Sequence, residues 1–243
     1  MKKVVAINSS KRKKNTYGLI NSAQSLFSKN DIELKILNLY EFDINDCNGC
    51  ESCVRSGRCP ICDGVAQIME ELSGADGIII SSPVYMAGVS GKLKTFIDRT
   101  CSWYHRPPLV SKPVLLVATT AGGYAKDVLK YMEKVAVFWG ANPCGKIYRT
   151  AGNLDTAITE KESADFISAL KYDRQSITPS LNALLTFQVQ KVLALKILPI
   201  DSEHWKNQNW HKQIYYFKCK IPLYKSIIAK SFYAVLNKVI KPV

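Results

Sequence analysis

No run of apolar residues in this 243-residue chain approaches the roughly eighteen needed to cross a bilayer, so no membrane-spanning helix is expected. The opening stretch, "MKKVVAINSSKRKK", has a basic start but an apolar run of only four residues, too short for the core of a secretory signal. The expected location is therefore cytoplasmic, where thiols stay reduced. Histidine is scarce. His105, His204 and His211 are scattered without metal-ligand spacing and read as surface or packing residues. No GxSxG elbow or acid pair points to hydrolysis, and no GxxxxGK(S/T) loop points to a P-loop site. Internal repeats and low-complexity segments are also lacking. Residues 180–243 have no arginine and two acids against ten lysines, ten less two, or +8 of the net +13. A second basic run, "KRKK", spans Lys11–Lys14. Neither accompanies a nucleic-acid-binding module, so a solvated basic surface is preferred and no nucleic-acid partner is expected.

What the chain does have is cysteine in one place. Five of its eight cysteines fall in "CNGCESCVRSGRCPIC", Cys47–Cys62. A reducing compartment argues against a disulfide framework. The spacing is C-x2-C-x2-C-x5-C with Cys62 to spare, and its opening matches the bacterial ferredoxin run. Zinc sites more usually pair two separate C-x2–4-C units, which this pattern fits poorly. An iron–sulfur cluster is the preferred reading of the residues, with a cluster-free cysteine loop and a zinc site as alternatives. Cys101, Cys144 and Cys219 read as ordinary semi-buried thiols.

Hydrophobic periodicity alternates strands with helices. Strands are predicted at Lys3–Asn8, Ile32–Leu39, Gly77–Ser82, Pro113–Thr120 and "NPCGKIYRT". Helices are predicted over Thr16–Lys29, "GVAQIMEEL" behind a capping Asp63, "SGKLKTFIDRT" and "AKDVLKYMEKVAVFWG". Asp98 and Arg99 read as a structural ion pair at a helix end. Such alternation implies right-handed crossovers and an α/β doubly wound parallel sheet, here five-stranded in the flavodoxin-like order 2-1-3-4-5. The alternation stops near Arg174, giving a domain over residues 1–175 and a basic, aromatic helical extension over 176–243.

In a sheet of this order ligands bind beyond the carboxyl ends of the strands, at the switch point. Three loops lie there. "NSSKRKKNTYGL" offers hydroxyls, a guanidinium and amides, a plausible phosphate cradle. "SSPVYMAGVSGKLKTFIDR" offers a partly apolar wall. "TTAGGYAKD" offers a glycine pair that lets backbone approach a ligand, or that serves only a tight turn. The first two resemble the NADPH-dependent FMN reductase branch of the flavodoxin-like flavoproteins, with its GSPRxxxNT and SPVY…SGxLKxFIDR patterns. Here Ser9 stands at the family's Gly and Lys11 at its Pro. The resemblance spans about residues 3–150. It implies FMN with its phosphate on Ser10, Arg12, Asn15 and Thr16. It also implies Pro83, Val84, Tyr85 and Met86 along the ribityl chain and ring, and Ala121, Gly122 and Gly123 at the ring's polar edge. Within that branch the cysteine motif resembles the iron–sulfur flavoproteins, which implies a 4Fe–4S cluster on Cys47, Cys50, Cys53 and Cys59.

The expected function is an FMN-dependent oxidoreductase that moves electrons between FMN and a 4Fe–4S cluster, with NAD(P)H or a ferredoxin as redox partner and a small-molecule acceptor. Two other readings are a cluster-free NAD(P)H-dependent FMN or quinone reductase, and a basic flavin-binding module. No side chain is required as a catalytic acid or base. In the tail, Tyr224, Ile228, Phe232, Val235, Leu236 and Val239 are expected on one helical stripe opposite Lys230, Lys238 and Lys241. Packing and homodimer or homotetramer contacts are the preferred use of that stripe, ahead of an anionic membrane surface.

Overall fold

A computed structural model describes residues 1–242. Its five strands are β1 Lys2–Asn8, β2 Ile32–Asn38, β3 Gly77–Pro83, β4 Pro113–Thr119 and β5 Asn142–Arg149. All pairs are parallel and the order is β2-β1-β3-β4-β5. The central strands are near-continuous aliphatic runs because both faces are covered. On one face Val5, Ile7, Ile80 and Leu116 meet Ile68 and Leu72 of α4 (Val65–Gly74), Phe96 of α5 (Gly91–Arg99) and Met132 of α7 (Ala125–Phe138). On the other, Val4, Ala6, Ile79 and Val117 meet Leu19 of α1 (Asn15–Asn21), Phe27 of α2 (Gln24–Ser28) and Phe166 of α8 (Glu160–Lys171).

The predicted helix 16–29 is two helices. Ser22 breaks it: its hydroxyl donates to Leu19 O at 2.7 Å and accepts the Ile158 amide at 3.0 Å, tying the chain after β5 to the break. Helix α8 lies in a stretch where no helix is predicted above. Its start is a capping box, in which Thr159 accepts from the Glu162 amide and Glu162 from the Thr159 amide. Gly77 makes room for α8, because a Cβ there would lie 2.6 Å from Leu170. Two five-residue helices also form, α3 (Ser52–Ser56) inside the cysteine stretch and α6 (Cys101–His105) after α5.

Beyond Arg174 the chain forms α9 (Leu181–Lys196), α10 (Pro199–Asn207) and α11 (Leu223–Val239) around a core of Leu184, Phe187, Trp205, Trp210, Tyr215 and Tyr216. Helix α9 is apolar on most sides and buries Gln190. That amide donates to Tyr104 O at 2.8 Å and Phe138 O at 2.9 Å, docking the extension on the ends of α6 and α7. The expected stripe on α11 is divided between two faces. Phe232 and Leu236 turn toward α9 with the buried Ala229, whereas Tyr224, Ile228, Val235 and Val239 are exposed. Among the described residues no helix is long and apolar enough to cross a membrane.

Candidate flavin and cysteine-loop site

The carboxyl ends of β1, β3 and β4 open into one cleft of about 180 Å³. It is lined by Ser10, Arg12, Asn15 and Thr16 from the first loop, Pro83, Val84 and Tyr85 from the second, and Ala121 from the third, all among the predicted flavin residues. Lys14, Thr119, Thr120 and Leu154 line it as well, without having been singled out from the sequence. Thr119 and Thr120 end a predicted strand and were legible by position. Leu154 follows β5 and carries no local signal.

Buried polar groups fix these loops to one another. Asn8 Nδ2 donates to Asn38 Oδ1 at 2.8 Å and to Ser10 O at 3.1 Å. Thr16 and Thr119 share a hydroxyl–hydroxyl bond of 2.6 Å, and the Val84 amide donates to Thr119 O at 2.8 Å. Ser9, at the position where the family pattern has glycine, points away from the cleft mouth. Its side chain is fully buried and donates to Ser81 O at 2.8 Å. Arg12 and Asn15 stay exposed at the cleft.

Met86, Gly122 and Gly123 do not line this cleft. Met86 is fully exposed at the tip of a two-residue turn closed by Tyr85–Gly88 hydrogen bonds of 2.9 and 3.0 Å. Gly122 and Gly123 border an adjoining cleft of about 250 Å³ with Thr120, Tyr124 and Tyr148. Neither glycine has a positive φ, and a Cβ on either would meet nothing within 4 Å. The left-handed position of this loop falls instead on Tyr124, at φ 66°. The turn therefore does not need the glycines, and their open edge fits a ligand that approaches the backbone closely.

The cysteine loop is held by arginines of the helical segment that follows β3. Arg99, at the end of α5, is 3% exposed and reaches both ends of the loop. It donates to Asn45 O at 2.8 Å, to Ile61 O at 3.2 Å and to Cys59 Sγ at 3.4 Å. Its ion-pair partner is Asp63, at 2.6 Å, and not Asp98, which pairs with Lys94 one helical turn back. The reason is direction: neighbouring helical residues do not face each other. Burial alone would raise the Asp63 carboxyl, but bonds from Arg99 and from the Asn45 and Val65 amides hold it below its ordinary value. The N-cap position of α4 falls on Gly64 rather than on the predicted Asp63, whose carboxylate instead accepts the Val65 amide at 3.1 Å and anchors the loop. From the other side, Arg106 donates to Cys53 O at 2.7 Å and Val54 O at 3.2 Å.

Cys53 and Cys59 are half-buried, while Cys47, Cys50 and Cys62 are exposed. Burial, and then the neighbouring Cys59, Cys47 and Cys50 thiolates, push the Cys53 thiol up. A hydrogen bond from Ser52 pulls the Cys50 thiol down. Cys101 departs from the expected semi-buried role. It is exposed as a residue, yet burial of its thiol and the nearby Cys53 and Cys47 raise its pKa, which places it against the loop. Among the described residues no three Cys, His, Asp or Glu side chains are already converged on a metal position. The donor chemistry nevertheless suits an iron–sulfur cluster. Four thiols share one neighbourhood, a guanidinium donates to one of them, and the buried Arg99 Nε lacks any hydrogen-bond partner. Scattered His105, by contrast, packs into the protein, with Nδ1 2.9 Å from the buried Asp201.

Residues 2–153 match the NADPH-dependent FMN reductase family. The chain belongs to that family. Residues of this chain are 40% identical over 99 positions to an iron–sulfur flavoprotein of Methanocaldococcus jannaschii, covering 40% of this chain and 51% of that one. They are 31% identical over 146 positions to an iron–sulfur flavoprotein of Archaeoglobus fulgidus, covering 60% of this chain and 66% of the relative. The chain thus spans between half and two thirds of the length of these relatives. The crystal structure of RosB with bound 8-demethyl-8-formylriboflavin-5'-phosphate superposes with a TM-score of 0.56 at 14% identity, over 92% of both chains. That likeness establishes the flavodoxin-like fold.

Proposed function

We propose that this FMN reductase family member binds FMN in the cleft at the ends of β1, β3 and β4 and exchanges electrons with a 4Fe–4S cluster held by Cys47, Cys50, Cys53 and Cys59. The observation that carries the flavin assignment is that three loops, distant in sequence, line a single cleft and supply a guanidinium, hydroxyls and an apolar wall. Arg12, Ser10, Asn15 and Thr16 would hold the phosphate. Pro83, Val84 and Tyr85 would flank the ribityl chain and ring, with Met86 at the exposed rim. Ala121 would meet the ring edge, with Gly122 and Gly123 reached where the ring extends over the adjoining cleft. Bound there, FMN supplies two-electron chemistry on one side and single-electron chemistry on the other, matching an NAD(P)H donor or ferredoxin to a small-molecule acceptor. The chain's own part is to orient the cofactors and to hold their potentials. No side chain acts as an acid or base in this reading.

Arg12→Ala should raise the FMN dissociation constant by one to two orders of magnitude, because a charge-assisted bond to phosphate contributes roughly 1.5–3 kcal/mol. Equal FMN affinity in fluorescence titrations of both proteins would remove Arg12 from the site. For the cluster, anaerobic protein reconstituted with iron and sulfide should contain about four of each per chain. Cys50→Ser should abolish that content with FMN still bound, and Cys62→Ser should leave it intact. Protein that remains iron-free under these conditions would instead support the second reading, a cluster-free NAD(P)H-dependent FMN or quinone reductase. The observation that favours this second reading is the unconverged arrangement of the thiols.

A further inference from the structure

We infer that the C-terminal extension is the outer wall of the cysteine site, with Asp201 and Arg106 as its positioning residues. Helix α3, which carries Cys53, has only five residues. A helix this short does not hold itself together, and its last carbonyls lack partners along the chain. It is bounded by Glu51 at φ 59° and Gly57 at φ 80°, so both its ends turn sharply. Two of its carbonyls, those of Cys53 and Val54, are taken by the two terminal nitrogens of the Arg106 guanidinium. A planar fork fits two neighbouring carbonyls in a way that an ammonium does not.

Arg106 is itself held from the extension. Its side chain is 11% exposed and its ion-pair partner is Asp201 of α10, at 1% exposure. The second Asp201 oxygen accepts from His105 Nδ1 at 2.9 Å. The Trp205 indole, fully buried one turn further along α10, donates to His105 O at 2.8 Å. Ile200 completes the contact: its Cδ1 lies 3.6 Å from where a Cβ on Gly57 would sit. So α10 reaches the cysteine loop through Ile200 directly and through Asp201 by way of Arg106. Arg99 fixes the Cys59 end of the loop, and Arg106, from the same domain but held by Asp201 of the extension, fixes the Cys53 end. For a ligand that needs several thiols at once, holding Cys53 in advance lowers the ordering cost of binding. The inference depends on the cluster reading for its purpose, and its geometry stands without it.

The test uses the full chain with Asp201→Asn, and with Arg106→Lys, which keeps a cation beside Asp201 but removes the fork. In metal-free protein, the alkylation rate of Cys53 is followed by mass spectrometry with Cys144 and Cys219 as internal references. Cys53 should react several-fold faster in both variants with the references unchanged. In reconstituted protein, iron loss to a chelator should accelerate by about tenfold, the usual scale for groups that support metal ligands. Cys53 reactivity that rises only in step with Cys144 and Cys219 means general loosening and overturns the inference, as does unchanged reactivity. If Asp201→Asn does not fold, Arg106→Lys decides. A parent protein that takes up no iron defeats the cluster reading alone, and the alkylation ratio still decides the role of the extension.

Discussion

Ala87 stands at φ 62° and Met86 at φ 45°, the two central residues of the tight turn at the rim of the flavin cleft. Turns with both central residues left-handed ordinarily take Asn-Gly, because a Cβ there crowds the backbone. The left-handed strain on Ala87 is worth about 1–2 kcal/mol, and glycine's extra freedom in the unfolded chain offsets about 0.4–1 kcal/mol of it. Strain therefore wins, and Ala87→Gly should stabilise the fold by roughly 0.5–1 kcal/mol in denaturant titrations. Strained residues kept at a binding site are commonly held there for function, so FMN affinity should fall in the same variant. A variant no more stable than the parent would show that the turn is relaxed. At this scale the sequence was readable where chemistry sits on a short motif. Ser10, Arg12 and Tyr85 were legible from the loop motifs, whereas Arg99 was assigned to its chain neighbour Asp98. Its true partner Asp63 is brought close only by tertiary folding, and no spacing in the sequence reveals that.

Among elements, the strands were the most legible, because a buried parallel strand is a short aliphatic run bounded by turn signals. Helix α8 shows the opposite case. Its apolar residues are few, but Thr159 and Glu162 form a capping box that could have been read directly. The element is held to the sheet edge by Arg149 at the end of β5, which is 4% exposed and forks onto Glu162 at 2.8 and 2.9 Å. Arg149 also donates to Thr156 O and Ala157 O, fixing the segment that carries Leu154 into the flavin cleft. That guanidinium, aided by the Thr159 amide and hydroxyl and opposed by burial, holds the Glu162 carboxyl at about 2 against an ordinary 4.5. A carboxylate with a lowered folded pKa stabilises fully above its unfolded value and loses that contribution as pH falls through the folded one. The window here is pH 4.5 down to about 2. The Glu162 side chain is 34% exposed, so solvent screening reduces the contribution to about 1–2 kcal/mol. Glu162→Gln should be less stable than the parent by that amount at pH 7, with the gap closing below pH 3 in chemical denaturation. A gap that persists at pH 2 would assign the effect to packing rather than charge.

For the whole molecule, the sequence separates an α/β domain from a helical extension, yet it conceals what the extension covers. The αβ alternation is a local signal, whereas the docking of α9 and α10 depends on side chains such as Gln190 and Asp201 that look like surface residues until folded. Helix α11 poses the remaining question, because it is apolar on two sides. Ala229 packs on α9, while Leu223, Tyr224, Ile227, Ile228, Val235 and Val239 stand 41–76% exposed. A stripe of this size on one helix is more than isolated surface apolar residues require. Its layout suits a second copy of the chain. Ile228 and Val235 flank Ser231 almost evenly, and Tyr224 and Val239 do so further out, so two antiparallel α11 helices would lay each residue against its counterpart across a twofold axis. In that register Lys230 faces Tyr233, while Lys225 stands opposite Lys238, a like-charge pair toward each end of the contact. The expected homodimer or homotetramer would then use this face. Ile228→Glu combined with Val235→Glu would place carboxylates at its centre, and light scattering should show the mass falling toward the 27.2 kDa of one chain, with FMN binding unchanged. A parent already monomeric, or a variant of unchanged mass, removes α11 from self-assembly. Residues 204–243 hold eight lysines and no acid, so flotation of the parent with anionic vesicles, lost in the same variant, would assign the face to a membrane surface instead.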